Sequence, residues 1–119
     1  MKQIAFLAAL ALAGCVTPGT SATPGLGQTG LVGGLRIRPI AVVEDSRCPA
    51  LVRCVSAGRL VVRARMNGPG WTQIRDFELG VPQAVDQYRV ALMSAEPPKA
   101  VPGEIDPRVY RFTFAVSGR

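Results

Sequence analysis

The sequence predicts an all-β fold: a small antiparallel β-sandwich of the immunoglobulin-like kind or a partly open barrel, preceded by a signal peptide and a flexible tether. Residues 59–66 alternate apolar and basic side chains, which is the period of a half-buried antiparallel strand. Turn-forming residues rich in glycine and proline, such as 67–70, separate this run from the next. Beyond the N-terminal apolar run no helical period is seen, so short strands around one modest core are expected.

The first fourteen residues have the pattern of a secretory signal peptide. Lys2 precedes an apolar run over residues 4–13, which is shorter than the about 20 residues of a membrane-spanning helix. The run ends in Leu-Ala-Gly-Cys at residues 12–15, which resembles the bacterial lipobox. That resemblance implies a lipoprotein anchored through Cys15, with palmitate among its acyl chains. The alternative is an ordinary signal peptide with an incidental cysteine.

The residue after Cys15 bears on the destination. A signal that retains a lipoprotein in the inner membrane usually has Asp there, whereas this chain has Val16. The expected location is therefore the bacterial cell envelope, at the periplasm-facing side of the outer membrane.

Composition divides the remaining chain into a tether and a domain. Residues 15–30 combine the lipidated position with a Pro/Gly/Thr-rich stretch typical of a flexible linker, and residues 31–119 form the predicted β domain. Gly33 and Gly34 predict a hairpin turn, and Pro39 predicts a bulge or an edge position. Weak alternation over residues 35–44 predicts one shared face for Leu35, Ile37, Ala41 and Val43. Residues 109–117 have the most apolar face and are predicted to be the central core strand.

Cys48 and Cys54 bracket five residues between two strand-like runs. A structural disulfide is the favoured interpretation, because the remaining two cysteines form an even pair in an oxidising compartment. Free thiols and a reactive or metal-binding pair are the alternatives. A zinc site normally needs four ligands, and a redox pair more often has the spacing Cys-x-x-Cys. Gly58 can take a positive φ just before the next strand.

The same region carries a family resemblance. Residues 45–49 read Asp-Ser-Arg-Cys-Pro, followed by Cys-Val at 54–55 and Ala-Gly at 57–58. This block resembles a group of small secreted or lipid-anchored bacterial proteins, in which Trp usually stands at the position of Ser56. The resemblance covers about residues 30–117 and implies a β domain in the envelope, with no established activity.

Arginine dominates the charge of the exported chain. Without Lys2 the net charge is +5, and twelve of the basic residues are arginine. Nucleic acid is not an expected partner of an exported protein, so lipid or glycan anions are the candidates. The predicted anion-binding residues, which alternation places on shared strand faces, are Arg36, Arg38, Arg59, Arg63 and Arg65. The competing interpretation is a solubilising surface neutralised by Asp76 and Glu78.

Enzymatic residue sets are sparse in this sequence. The chain has no histidine, which removes His-dependent nucleophilic catalysis and the usual transition-metal sites. Asp76 and Glu78 share a strand face, but a solvated pair is the simpler interpretation. Glu44 and Asp45 lack the oxygen-rich repeat of calcium sites, and Asp45 is expected to cap the loop's turn. We therefore expect no enzyme, no cofactor and no metal.

Three functions agree with these observations. The first is a binding or assembly accessory that is attached to the membrane by the lipid on Cys15 and docks on an envelope protein. The second is a binder of anionic lipid or glycan through the arginine face. The third is an inhibitor-like module that inserts the loop of residues 46–57 into another protein's cleft.

Overall fold

The structure, a computed structural model, describes residues 23–50, 52–99 and 104–118. The predicted signal peptide, Cys15 and the first part of the predicted tether lie outside these residues. Within these residues, seven strands and one short 3-10 turn follow one another in sequence. They are β1 (Gly30–Val32), β2 (Leu35–Asp45), β3 (Leu60–Gly68), β4 (Trp71–Glu78), β5 (Gln83–Val85), β6 (Tyr88–Glu96), the turn Pro107–Val109 and β7 (Arg111–Gly118).

The strands form two antiparallel sheets, which confirms the prediction of a small all-β sandwich. One sheet has the order β1-β2-β3-β4 and the other the order β5-β6-β7. In the described residues both sheets follow the order of the chain, so each is a meander built from hairpins. Two-residue turns join β1 to β2 and β3 to β4, at Gly33-Gly34 and at Pro69-Gly70. Gly33 and Gly34 both have positive φ, as a tight hairpin turn requires.

The core lies between the two sheets. β3 contributes every second residue, as its alternation predicts. Its neighbour β4 adds Phe77, and the buried side chains of β6 and β7 face them from the other sheet. The rings of Phe77 and Phe114 meet edge to face across the sheets, with their centroids 5.8 Å apart. The fully buried hydrophobic residues of the core are Leu35, Ile37, Leu60, Val62, Ala64, Met66, Phe77, Val85, Val90, Leu92 and Phe112.

The folded part of the chain begins earlier than its composition indicates. Pro24 and Gly25 are buried, and the carbonyl oxygen of Pro24 accepts a hydrogen bond from the amide of Phe112 at 3.0 Å. The amide of Gly27 donates to the carbonyl of Pro39 at 2.8 Å. Residues 23–30 had the composition of a linker, but these bonds hold them on the sandwich.

Two strand-level predictions were wrong. The run at 109–117 was expected to be the central strand, yet β7 is at the edge of its three-stranded sheet, and β6 is central. Its apolar side chains are buried against the opposite sheet, which does not depend on its place within its own sheet. Val43 was expected to face inward, but it is half-exposed. The register shift at Pro39/Ala41 reverses the alternation, so Ala41 lies opposite the outward-facing Arg63, and the shift at Val42/Glu44 restores it. Val43 is the extra residue of the second shift.

Candidate binding surfaces: the pinned loop and the arginine face

The segment between β2 and β3 is the tip of a hairpin closed by a disulfide. Cys48 and Cys54 are joined, which confirms the predicted pair, and their Cα atoms are 5.9 Å apart. The ladder between the two strands continues into the loop through backbone bonds from Ser46 to the carbonyl of Arg59 and from Cys48 to that of Ala57. We call residues 46–57 the pinned loop. Its base is held both by hydrogen bonds and by a covalent bond.

Gly58 makes the return to β3 possible. Its φ is +68°, in the left-handed region that glycine enters without steric cost. A Cβ atom at this position would overlap the carbonyl oxygen of Ser46 on the facing chain. The sequence-based expectation of a positive φ is therefore confirmed, and close backbone approach is a second reason for glycine.

An ion pair with a third partner lies under the loop. Arg47 donates from Nε and Nη2 to the two carboxylate oxygens of Asp45, at 2.8 and 2.9 Å, and the hydroxyl of Tyr110 donates to Oδ2 at 2.7 Å. The Asp45 and Arg47 side chains are only 11% and 15% exposed. Asp45 was expected to cap the loop's turn; instead it joins the loop to the residue before β7.

This environment shifts two pKa values in opposite directions. The Arg47 guanidinium, and after it the Tyr110 hydroxyl, lower the pKa of Asp45 to about 2, against the opposing effect of burial. Burial, and then the hydrogen bond to the Asp45 carboxylate, raise the pKa of Tyr110 to about 12. Asp45 is therefore ionised and Tyr110 is neutral over the whole physiological pH range.

The chain between β6 and β7 braces the same loop. The amide of Ala50 donates to the carbonyl of Lys99 at 2.9 Å, and Lys99 Nζ donates to the backbone carbonyl of Asp45 at 3.0 Å. Arg47 Nη2 also reaches the carbonyl of Pro97 at 3.3 Å. These contacts attach the first half of the loop to the body of the sandwich.

The second half of the pinned loop is presented to solvent. All the residues from Val52 to Arg59 are exposed, and Val55 is fully exposed. Ser56 is among these exposed residues. The tip thus offers two valines and Arg53 on a framework whose base is fixed.

The register of β2, β3 and β4 separates the five predicted anion-binding arginines into two groups. Arg59 forms an ion pair with Glu44 at 3.0 Å, and Arg63 forms one with Asp76, its neighbour on β4, at 2.8 Å. These pairs lie at the end of the sheet next to the pinned loop. The competing interpretation of a neutralised surface therefore describes this half of the face.

The other half keeps its charge. Arg38 lies directly opposite Arg65, and Arg36 lies two residues from Arg38 on the same exposed face. Among the residues that the structure describes, no carboxylate contacts any of these three guanidinium groups. Leu31, opposite Arg36, is 57% exposed, and Ile74, opposite Arg65, is 49% exposed. We call these five residues the basic face.

A cleft of about 490 Å³ opens beside the ion pair of Asp45. Its lining includes Glu44, Asp45, Lys99, Glu104 and Tyr110. The carboxylates of Asp45 and Glu44 each form an ion pair with an arginine, which lowers the pKa of each carboxyl. Within the described ranges no group of three or more His, Cys, Asp or Glu side chains is placed to hold a metal ion. Of the predicted carboxylate pair, Asp76 accepts a hydrogen bond from Arg63, and Glu78 lies opposite Val61.

Several features of these surfaces could not be predicted from the alternation of apolar and polar residues. The ion pairs of Arg59 and Arg63 depend on strand register, and Tyr110 is 65 positions from Asp45. One signal was available: a buried tyrosine hydroxyl needs a hydrogen-bond partner, which an apolar stripe cannot supply. The exposed Leu31 lies in β1, whose three residues are too few to show an alternation.

Comparison of the chain with protein-family models, curated proteins and solved structures finds no match. The described part of the chain contains no helix that is long and apolar enough to cross a membrane. The lipidation predicted at Cys15 falls outside the described residues, so it remains a prediction from the sequence.

Proposed function

We propose that the protein is a lipid-anchored bacterial envelope protein, attached through Cys15, whose β domain is a binding or assembly accessory and not an enzyme. The observation that carries the proposal is the pinned loop. Its base is fixed by a disulfide and by backbone hydrogen bonds to Arg59 and Lys99, while the residues of its tip are exposed. Binding to a preorganised loop loses less conformational entropy than binding to a flexible one.

The chemistry of the tip indicates the kind of partner. Val52, Arg53 and Val55 combine exposed apolar side chains with one guanidinium. Such a set is complementary to a protein cleft with an apolar floor and an acceptor for arginine. The two carboxylates beside the loop, Asp45 and Glu44, each form an ion pair with an arginine. Neither is therefore free for proton transfer, which supports a binding role.

A photo-crosslinking amino acid at Val55 of the full chain, expressed in bacterial cells, tests this proposal. The matched control carries the same group at Ala115, which is exposed on the outer face of β7. We expect a discrete protein adduct from Val55 and none from Ala115. The adduct should weaken when Cys48 and Cys54 are both replaced by Ser, with folding checked by circular dichroism.

A crosslinker at Val52 serves as a second position in the loop. Absence of an adduct from both Val52 and Val55, or the same adducts from Val55 and Ala115, would contradict a role for the loop. A second candidate, favoured by the same exposed loop, is an inhibitor-like module. In that case the crosslinked partner would be an enzyme. Adding the full chain would lower the activity of that enzyme in proportion to the fraction of enzyme bound to the loop.

A further inference from the structure

The outer surface of the four-stranded sheet is electrostatically polarised along the strands. Near the pinned loop, Arg59 and Arg63 are neutralised by Glu44 and Asp76. Toward the other ends of β2 and β3 lies the basic face, without a contacting carboxylate among the described residues. Arg59 and Arg65 are six residues apart, or about 20 Å along a strand. The charge is therefore concentrated away from the loop.

The basic face places two like charges opposite each other on neighbouring strands. Arg38 and Arg65 occupy directly opposed positions on neighbouring strands, where like charges are destabilising. Arg36 adds a third guanidinium on the same face. A partner with several negative charges would relieve this repulsion, and guanidinium groups bind phosphate oxygens through two parallel hydrogen bonds.

Exposed aliphatic residues flank the three arginines on either side. Leu31 on β1 and Ile74 on β4 point to the same surface as Arg36 and Arg65, whose partners in the ladder they are. A soluble anion needs no apolar neighbours. The combination of basic groups with aliphatic groups suits the boundary between phospholipid headgroups and acyl chains.

The N-terminal chain enters beside this face. Gly27 is hydrogen-bonded to Pro39, the residue after Arg38, and β1 then forms the edge of the same sheet. Thr23, the first described residue, is eight residues from Cys15, so the covalent chain between them can span at most about 28 Å. A lipid on Cys15 would keep the basic face within reach of the bilayer.

We propose that the basic face docks on the anionic phospholipid surface of the membrane that holds the anchor, with Arg36, Arg38 and Arg65 on lipid phosphates and Leu31 and Ile74 at the acyl boundary. The position near the membrane rests on the proposed lipidation of Cys15, whereas the chemistry of the face does not. Docking there leaves the pinned loop, at the far ends of β2 and β3, free for a protein partner.

Sedimentation with vesicles tests the proposal independently of the anchor. The chain of residues 15–119 with Cys15→Ser retains every described residue, and anchoring itself is measured separately by detergent partition of the native protein. The vesicles are phosphatidylglycerol mixed with phosphatidylethanolamine, or phosphatidylcholine alone. We expect binding to the anionic vesicles, weaker at higher salt, and no binding to the neutral ones.

Matched variants locate the contact. Arg38→Gln/Arg65→Gln should bind anionic vesicles about 30-fold more weakly, and Arg65→Gln alone about 5-fold, at about 1 kcal/mol for each arginine near the surface. The control Arg53→Gln/Arg89→Gln removes the same charge from the loop and from the other sheet and should stay within about 3-fold. Leu31→Asn, which changes no charge, should also weaken binding, because it removes the aliphatic contact.

Several outcomes would overturn the proposal. Equal binding to neutral vesicles, or equal losses in the two double variants, would indicate association that does not depend on this face. An unchanged Leu31→Asn variant, or release of the protein by millimolar glycerol phosphate, would indicate a site for soluble anions. A protein adduct from a crosslinker at Ile74 in cells, with no vesicle binding, would assign the face to a protein partner instead.

Discussion

Replacing Asp45 by Asn should destabilise the domain in a way that depends on pH. The substitution removes the negative charge that accepts two bonds from Arg47 and one from Tyr110. The native pKa of Asp45 is about 2 against an ordinary value of 3.8. Each pKa unit corresponds to about 1.4 kcal/mol, so the charged form contributes about 2 kcal/mol to the free energy of unfolding. The low exposure of both side chains means that solvent screening reduces this value only modestly.

The sign of the pH dependence follows from the direction of the shift. Because the native pKa is lowered, the stabilisation is fully present above pH 4 and is lost as the pH falls through about 2. Asp45→Asn should therefore cost about 2 kcal/mol at pH 7, and the difference from wild type should shrink between pH 4 and pH 2. Urea unfolding followed by circular dichroism at several pH values measures both quantities.

Asp76→Asn is the matched control, since Asp76 also pairs with an arginine but the two side chains are 42% and 46% exposed. It should cost less than about 0.5 kcal/mol. The reasoning would be refuted if the loss of unfolding free energy in Asp45→Asn did not change with pH, or were as small as the loss in Asp76→Asn. Tyr110→Phe provides the complementary test at high pH. Its native pKa is raised, so its contribution is present below pH 10 and is lost as the pH rises through about 12.

Three further predictions concern the anchor, the disulfide and the basic face. Cys15→Ser should give an unprocessed or soluble product; an unmodified N-terminus found by mass spectrometry in the wild-type protein would contradict lipidation. Cys54→Ala should lower the free energy of unfolding by about 2 kcal/mol, because the closed loop is short; non-reducing peptide mapping of the wild-type protein should yield the Cys48–Cys54 peptide pair. Arg38→Glu should raise stability by about 0.5–1 kcal/mol by placing opposite charges across from each other; a loss of stability, or an equal gain from Arg89→Glu on the other sheet, would argue against repulsion on the basic face.

Local sequence patterns carried much of the fold. The alternation in β3 placed Leu60, Val62, Ala64 and Met66 in the core, and paired glycines placed the first hairpin turn. Patterns of this kind depend on a strand's own two faces, so they remain valid whatever its neighbours are. They do not report strand order, which is why an apolar β7 was mistaken for a central strand.

The candidate surfaces depended on contacts between distant residues. Whether an arginine on β3 is neutralised depends on the residue opposite it on β4. The register of the two strands puts Asp76 opposite Arg63 but Ile74 opposite Arg65. The bulges in β2 changed the alternation after Pro39, so Val43 faced the wrong way in the sequence-based prediction. The packing of residues 23–30 depended on hydrogen bonds to β2 and β7, which composition does not reveal.

Hydrogen exchange at the pinned loop tests most directly the claim that this loop is a preorganised binding element. The amides of Ser46 and Cys48 donate to the carbonyls of Arg59 and Ala57. In the oxidised protein both amides should exchange at least about 100-fold more slowly than in an unstructured peptide. Reduction of the disulfide should speed exchange at Cys48 while the amides of β3 stay protected. Exchange of Cys48 at the unprotected rate in the oxidised protein would contradict the account.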